Sequence, residues 1–266
     1  MALPDKLIIF DYSGTLSLAA AAFSRPDSLM QHLQISGLFK LGVDSASLFW
    51  EIVNATWLEG STTRRGYKRV MQERIAELFP EKAIVNQREI SRAAGNFVEA
   101  YFDHSGIDEN WRLILQQLWS DKSVDVVIAT DHYAEATEAI IKNLGQWNIP
   151  AIPLSADVKR NFAVANSADL GMHKDQQQFW QTVQNVLWQN YSRVLLVDDF
   201  GQNEQEGDAY GNPVKVSERR KMTVQLLRTV FASDVESISF AVNDENISGS
   251  IADTSAIIDQ LFCGGR

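Results

Sequence analysis

The chain has 266 residues, 45% of them hydrophobic and 22% charged, with a net charge of −10. That length holds one large domain or a core with an insert, the acidity argues against a nucleic-acid partner, and no apolar run approaches the roughly 20 residues that span a bilayer. A single cysteine, Cys263, excludes a disulfide framework or a cysteine-rich metal site, and an amino terminus without a basic leader makes the cytoplasm the expected location.

The first element is Leu7–Phe10, an unbroken apolar run suited to a strand buried on both faces of a parallel sheet. It ends at Asp11, and Gly14 with Thr15 then turns the chain. In open α/β sheets ligands sit at the carboxyl ends of strands. Asp11 is therefore a nucleophile, a metal ligand or both, unless it only caps the next segment.

Residues 17–106 carry helical periodicity. Leu29, Leu33 and Leu38 open this block, and Leu48, Ile52, Val53 and Trp57 form a second apolar stripe. Ser61 or Thr62 is a candidate cap for a third helix, which buries Val70, Ile75, Leu78 and Phe79 and stops at Pro80. Ile90, Ala94, Phe97 and Tyr101 mark a fourth. The block reads as a helical cap domain inserted in a core of residues 1–16 and 107–266.

The core alternates strands and helices. Strands are expected at Val124–Ala129, Ile149–Leu154, Phe162–Ala165, Val194–Val197 and Ile238–Val242. Helices are expected near Trp111–Trp119, Tyr133–Leu144, after Asp175, from Ser217 to Phe231 and from Ile251 to Phe262. SADLGMHK, from Ser167 to Lys174, reads as a polar loop. The pattern implies an α/β fold, a doubly wound parallel sheet with helices on both faces.

Three strands end in polar residues: Asp11, Thr130 and the pair Asp198-Asp199. A parallel sheet lines these ends up on one edge, with Lys174 in a nearby loop. Carboxylates, a hydroxyl and an ammonium together suit phosphoryl transfer: a carboxylate attacks phosphorus, Mg²⁺ takes hard oxygen ligands, and the hydroxyl and ammonium neutralise phosphate oxygens.

FDYSGTL, the Thr130 strand end, SADLGMHK and LLVDDFGQNE resemble, in order, the four motifs of the haloacid dehalogenase-like hydrolases. The resemblance covers roughly residues 5–16 and 107–262, and many members carry a helical cap after the first motif. It implies that Asp11 forms an aspartyl-phosphate and binds Mg²⁺ together with Asp199, with Asp198 in the metal's surroundings and the Ser13 main-chain carbonyl as a further ligand. It also implies that Thr130, Lys174 and the N–H groups of Tyr12 and Ser13 hold the phosphate of a small phosphorylated substrate. Neither a membrane nor a nucleic acid is expected as partner, and the oligomeric state stays open.

Ser13 departs from the family pattern. Phosphatases of the family usually carry a second Asp there, as general acid and base, a role typically worth about 10²–10⁴-fold. Three readings follow. The chain is a phosphatase that uses a good leaving group, substrate assistance or another carboxylate, for which Glu204, Glu206 and Asp208 are candidates. Alternatively, it cleaves a C–P bond as phosphonoacetaldehyde hydrolases do, with a cap lysine among Lys40, Lys68 and Lys82. Or it binds phosphate without turnover. Dehalogenation is disfavoured, because the family's dehalogenases work without metal and Asp198-Asp199 argues for one.

In the cap, Arg64, Arg65, Lys68 and Arg69 are either a site for a second anionic group or a solvated helix face. Gly66 weakens that helix and is expected to mark a bend. Trp50 and Trp57 share a face, as packing residues or as a substrate platform. The four histidines, His32, His104, His132 and His173, have no metal-ligand spacing among them; His132 and His173, near Thr130 and Lys174, are candidates to border the site.

Overall fold

The computed structural model describes residues 4–155, 162–204, 213–242 and 246–263. Glu206 and Asp208 lie outside them, as does the side chain of Lys82. Six strands form one parallel sheet: β1 (Lys6–Phe10), β2 (Val124–Thr130), β3 (Ala151–Pro153), β4 (Phe162–Asn166), β5 (Arg193–Asp198) and β6 (Asp234–Ser239), in the order β3-β4-β2-β1-β5-β6.

The period-2 alternation of β1 explains how the layers form. Ile8 and Phe10 join one apolar cluster, with α6 (Arg112–Ser120), α7 (Glu135–Gln146) and α11 (Ile247–Ile258). Leu7 and Ile9 join the opposite one, with α9 (Gln177–Leu187) and α10 (Pro213–Phe231). These four residues of β1 are fully buried, as a central strand covered on both faces requires.

Between β1 and α6 come five α-helices, α1 (Leu18–Phe23), α2 (Pro26–Ser36), α3 (Ala46–Ser61), α4 (Tyr67–Leu78) and α5 (Pro80–His104). They build their own apolar cluster from Leu33, Phe49, Ile52, Ile75, Ala94 and Phe97 among others. This is the inserted helical cap.

Several boundaries differ from the sequence reading. Ser61 and Thr62 do not cap the third helix: Ser61 ends α3 and its hydroxyl donates to the Trp57 carbonyl at 2.5 Å. Gly66 is not a bend but the residue before α4, at φ +81°. There the Glu135 carboxylate, from the first turn of α7, accepts the Tyr67 N–H at 2.8 Å and caps α4 from the core. A Cβ at Gly66 would lie 2.6 Å from Glu135 Oε1, so this approach needs glycine. Pro80 opens α5 rather than only ending α4, since its missing N–H costs nothing in a first turn.

The last strand begins at Asp234, not Ile238, because an edge strand tolerates polar residues; its Glu236 pairs with Arg193 at 2.7 Å. Pro150 and Pro153 shorten β3 to three residues. Ser167–Leu170 is not a loop but one helical turn, α8, capped by the Asn166 side chain and closed by Gly171 at φ +77°.

Candidate active site

Register sets the geometry. Phe10 is level with Ile128 on one side and Val197 on the other, so Asp11, Thr130 and Asp198 emerge together at one rim. Gly14 then lets the chain turn back: its φ is +73°, and a Cβ there would sit 2.5 Å from Asp199 Oδ2. The Thr15 hydroxyl accepts the Asp199 N–H at 2.9 Å, tying the β1 loop to the β5 loop.

Asp11, Asp198 and Asp199 are buried, and each offers one carboxylate oxygen within 4.8 Å of the others. The Lys174 ammonium donates to Asp11 Oδ1 at 2.5 Å and to Asp198 Oδ2 at 3.1 Å. Asp131 positions this lysine by accepting its backbone N–H at 2.9 Å, and Trp180 Nε1–H donates to its carbonyl at 2.7 Å. Burial pushes the Asp11 carboxyl up to about 7, against the pull of Lys174. Burial and the neighbouring Asp11, Glu204 and Asp198 carboxylates also hold Asp199 well above the ordinary range. Burial alone would lower Lys174, but Asp11, Asp198 and Asp131 keep it charged, well above its ordinary value. Three dry carboxylates facing one ammonium cannot all ionise without a further cation. Clustered hard oxygens of this kind suit a divalent cation such as Mg²⁺.

Ser13 does not lie idle. Its hydroxyl donates to Glu204 Oε1 at 2.9 Å, which ties that carboxylate to the loop two residues after Asp11 and close enough to raise Asp199. Asn203 fixes the loop that carries Glu204: its amide donates to the carbonyls of Gly14 at 2.7 Å and Phe240 at 3.0 Å, and its Oδ1 accepts the Val242 N–H at 3.0 Å. Nothing in the sequence singled out Asn203 beyond its place beside Glu204. Thr15, too, went unassigned within the first motif.

Asp11, Ser13, Thr130, Lys174, Asp198, Asp199 and Glu204 line a single cavity of about 170 Å³ between core and cap. Its far wall is aromatic and includes both Trp50 and Trp57, which also pack against the cap cluster. His132 lines it as well. Burial lowers His132 to about 4, keeping it neutral; its Nδ1 accepts the Tyr133 N–H, and its Nε2 faces the Tyr101 hydroxyl at 2.9 Å. His173 Nε2 lies 2.6 Å from the Ser61 hydroxyl, joining the Lys174 loop to the cap. His32 and His104 instead meet beside Phe23.

The cationic cluster of the cap does not reach the cavity. Arg65 pairs with Glu59 and Glu73, Arg69 with Glu73 at 3.1 Å, and Arg64 with Asp169 at 3.4 Å. Lys40 and Lys68 are exposed and do not line it either.

No family model matches the chain, and no curated protein matches it. Solved structures do. A dehalogenase captured as an intermediate complex matches 97% of this chain and 98% of its own, at 13% identity and a TM-score of 0.51. An enzyme of the HAD family from Bacteroides thetaiotaomicron matches over 92% and 98%, at 12% identity and the same TM-score of 0.51. The fold is haloacid dehalogenase-like. Within this fold the four motif regions of the chain occupy one rim of the sheet, beneath the helical cap. Among the described residues, no helix is long and apolar enough to cross a membrane.

Proposed function

We propose that this haloacid dehalogenase-like chain is a Mg²⁺-dependent phosphatase that hydrolyses a small phosphorylated metabolite through an Asp11 phospho-intermediate. The observation that carries the reading is the buried trio Asp11, Asp198 and Asp199 with the Lys174 ammonium bridging two of them. Asp11, Asp199 and the Ser13 carbonyl would hold the cation, with Asp198 beside them. When bound, Mg²⁺ supplies neutralisation of charge on the transferring phosphoryl group.

The chain's own residues account for the remaining chemistry. An Asp11 oxygen attacks phosphorus as the bond to the ester oxygen breaks, and the departing oxygen keeps the electron pair. Lys174, the Thr130 hydroxyl and the N–H groups of Tyr12 and Ser13 take up charge on the phosphate oxygens. Glu204, hydrogen-bonded to Ser13, supplies a proton to the departing oxygen. Its carboxylate then accepts a proton from the water that attacks phosphorus, and phosphate leaves with Asp11 restored. The cap excludes bulk water from these steps.

The C–P hydrolase alternative needs a lysine over the phosphate. Of its three candidates, neither Lys40 nor Lys68 lines the cavity and the Lys82 side chain lies outside the described residues, whereas the phosphatase reading needs no such lysine. The test is release of p-nitrophenol from p-nitrophenyl phosphate. Turnover that requires Mg²⁺ and is abolished by Asp11→Asn supports it. Turnover that survives Asp11→Asn, or proceeds fully in chelator, overturns it. Phosphate binding without turnover would leave the non-catalytic alternative.

A further inference from the structure

The cap's share of the cavity lining bears on what is attached to the phosphate. On the phosphatase reading above, we propose that the leaving group is a single uncharged aromatic or similarly apolar ring, seated between α3 and α5 of the cap.

Size comes first. The cavity measures about 170 Å³, and an apolar cavity of about 150 Å³ in another protein accepts benzene. This volume includes the space at the phosphate-binding rim, so it suits a leaving group of about one ring rather than a nucleoside.

The chemistry of the wall agrees. From the cap the lining takes Phe49, Trp50, Val53, Asn54 and Trp57 of α3 and Phe97 and Tyr101 of α5, all but Asn54 apolar or aromatic. Packing fixes the rings: Phe49 and Phe97 lie 5.2 Å apart, and Trp57 meets the core's Tyr133 edge-on at 5.4 Å. Such fixed rings offer faces and edges to another ring. Among the described residues the cap contributes no charged side chain to the lining. Its arginines 64, 65 and 69 are held by acids elsewhere. The lining cations, Lys174 and Arg219, both come from the core, and Arg219 donates to the Phe200 carbonyl. A second phosphate or a carboxylate on the leaving group would thus face rings. The cap's polar lining residues, such as Ser24 and Asn54, are few beside its rings, so most hydroxyls of a sugar would lose their water without gaining partners. An aromatic alcohol also leaves more readily than an alkyl one, which eases the demand on the acid at a site that has Ser13 in place of Asp.

Calorimetric titration of the Mg²⁺-loaded protein with phenylphosphonate and methylphosphonate tests this, because neither has a leaving oxygen and binding is read without turnover. Phenylphosphonate is expected to bind about tenfold or more tightly, as burial of a ring dictates. Trp57→Leu, and independently Trp50→Leu, should shrink that ratio, with circular dichroism checking that each variant folds. Equal affinities, or a ratio that both folded variants leave unchanged, overturn the ring-binding proposal and leave the phosphatase reading intact. If neither phosphonate nor inorganic phosphate binds in the presence of Mg²⁺, the phosphatase reading falls and this proposal falls with it.

Discussion

The Ser13 hydroxyl donates to Glu204 Oε1 at 2.9 Å, across 191 residues of chain. A short side chain that cannot act as an acid thereby holds one that can. Glu204→Gln should lower kcat about 10²–10⁴-fold for alkyl phosphates, the usual worth of a general acid and base. The loss should be much smaller for p-nitrophenyl phosphate, whose leaving oxygen needs little protonation. Adding Ser13→Asp to Glu204→Gln should restore alkyl phosphate turnover. Steady-state kinetics on the two substrate types reads this out, and equal losses on both would remove Glu204 from the proton-transfer role.

Lys174 is the ammonium that meets the buried carboxylates at 2.5 and 3.1 Å. Removing one partner of such a cluster strands the others. Lys174→Met should therefore destabilise the metal-free protein by about 3–5 kcal/mol, the range for breaking a buried pair. Urea unfolding in chelator measures it. Saturating Mg²⁺ should recover part of the deficit, since binding to the native state alone stabilises it.

Gly14 combines a positive φ with a close approach to Asp199. Gly14→Ala should cost about 1–2 kcal/mol for the left-handed backbone alone, and more because the methyl must displace the Asp199 carboxylate. Mg²⁺ affinity should fall together with the melting temperature. Calorimetric titration of the folded variant separates the two effects; unchanged affinity would mean that Asp199 is not a ligand.

Proton linkage gives the pH dependence. Asp11 rises from 3.8 to about 7 through burial, and Asp199 rises with it. A cation must displace those protons. Mg²⁺ affinity should therefore increase with pH up to roughly neutrality and flatten above it, with proton release seen as a buffer-dependent binding enthalpy. In the metal-free protein the sign for stability is the reverse. Between 3.8 and about 7 the native Asp11 holds a proton that the unfolded chain releases, so its contribution falls as pH rises. His132 works against this trend: lowered to about 4 from 6.5, it adds stability as pH rises through that interval. Metal affinity is the cleaner measurement, because His132 is not among the clustered carboxylates.

What was legible in the sequence follows from how locally each feature is encoded. Asp11, Thr130 and Asp198 could be placed together because apolar strands report their own ends, and parallel register then aligns those ends. Lys174 followed from its loop. Glu204 was only one of three acidic candidates, since nothing local distinguishes a carboxylate held by Ser13 from one in solvent. The Tyr101–His132 contact and the Glu135 cap on α4 depend on how the cap sits on the core, which periodicity does not encode. The basic run Arg64–Arg69 left two readings open for the same reason: its acids, Glu59, Glu73 and Asp169, lie on other turns or on the core, and they settle it as a solvated helix face. The polar start of β6 was read late because an edge strand loses the apolar signature of a buried one.

The most direct test of phosphoryl transfer at Asp11 is fluorine NMR of beryllium fluoride, which mimics a phosphoryl group on a carboxylate. With Mg²⁺ present, a set of bound fluoride resonances should appear for the native chain and vanish both in chelator and in Asp11→Asn. No bound resonances with Mg²⁺, or the same resonances in Asp11→Asn, would contradict a phosphoryl group carried on Asp11.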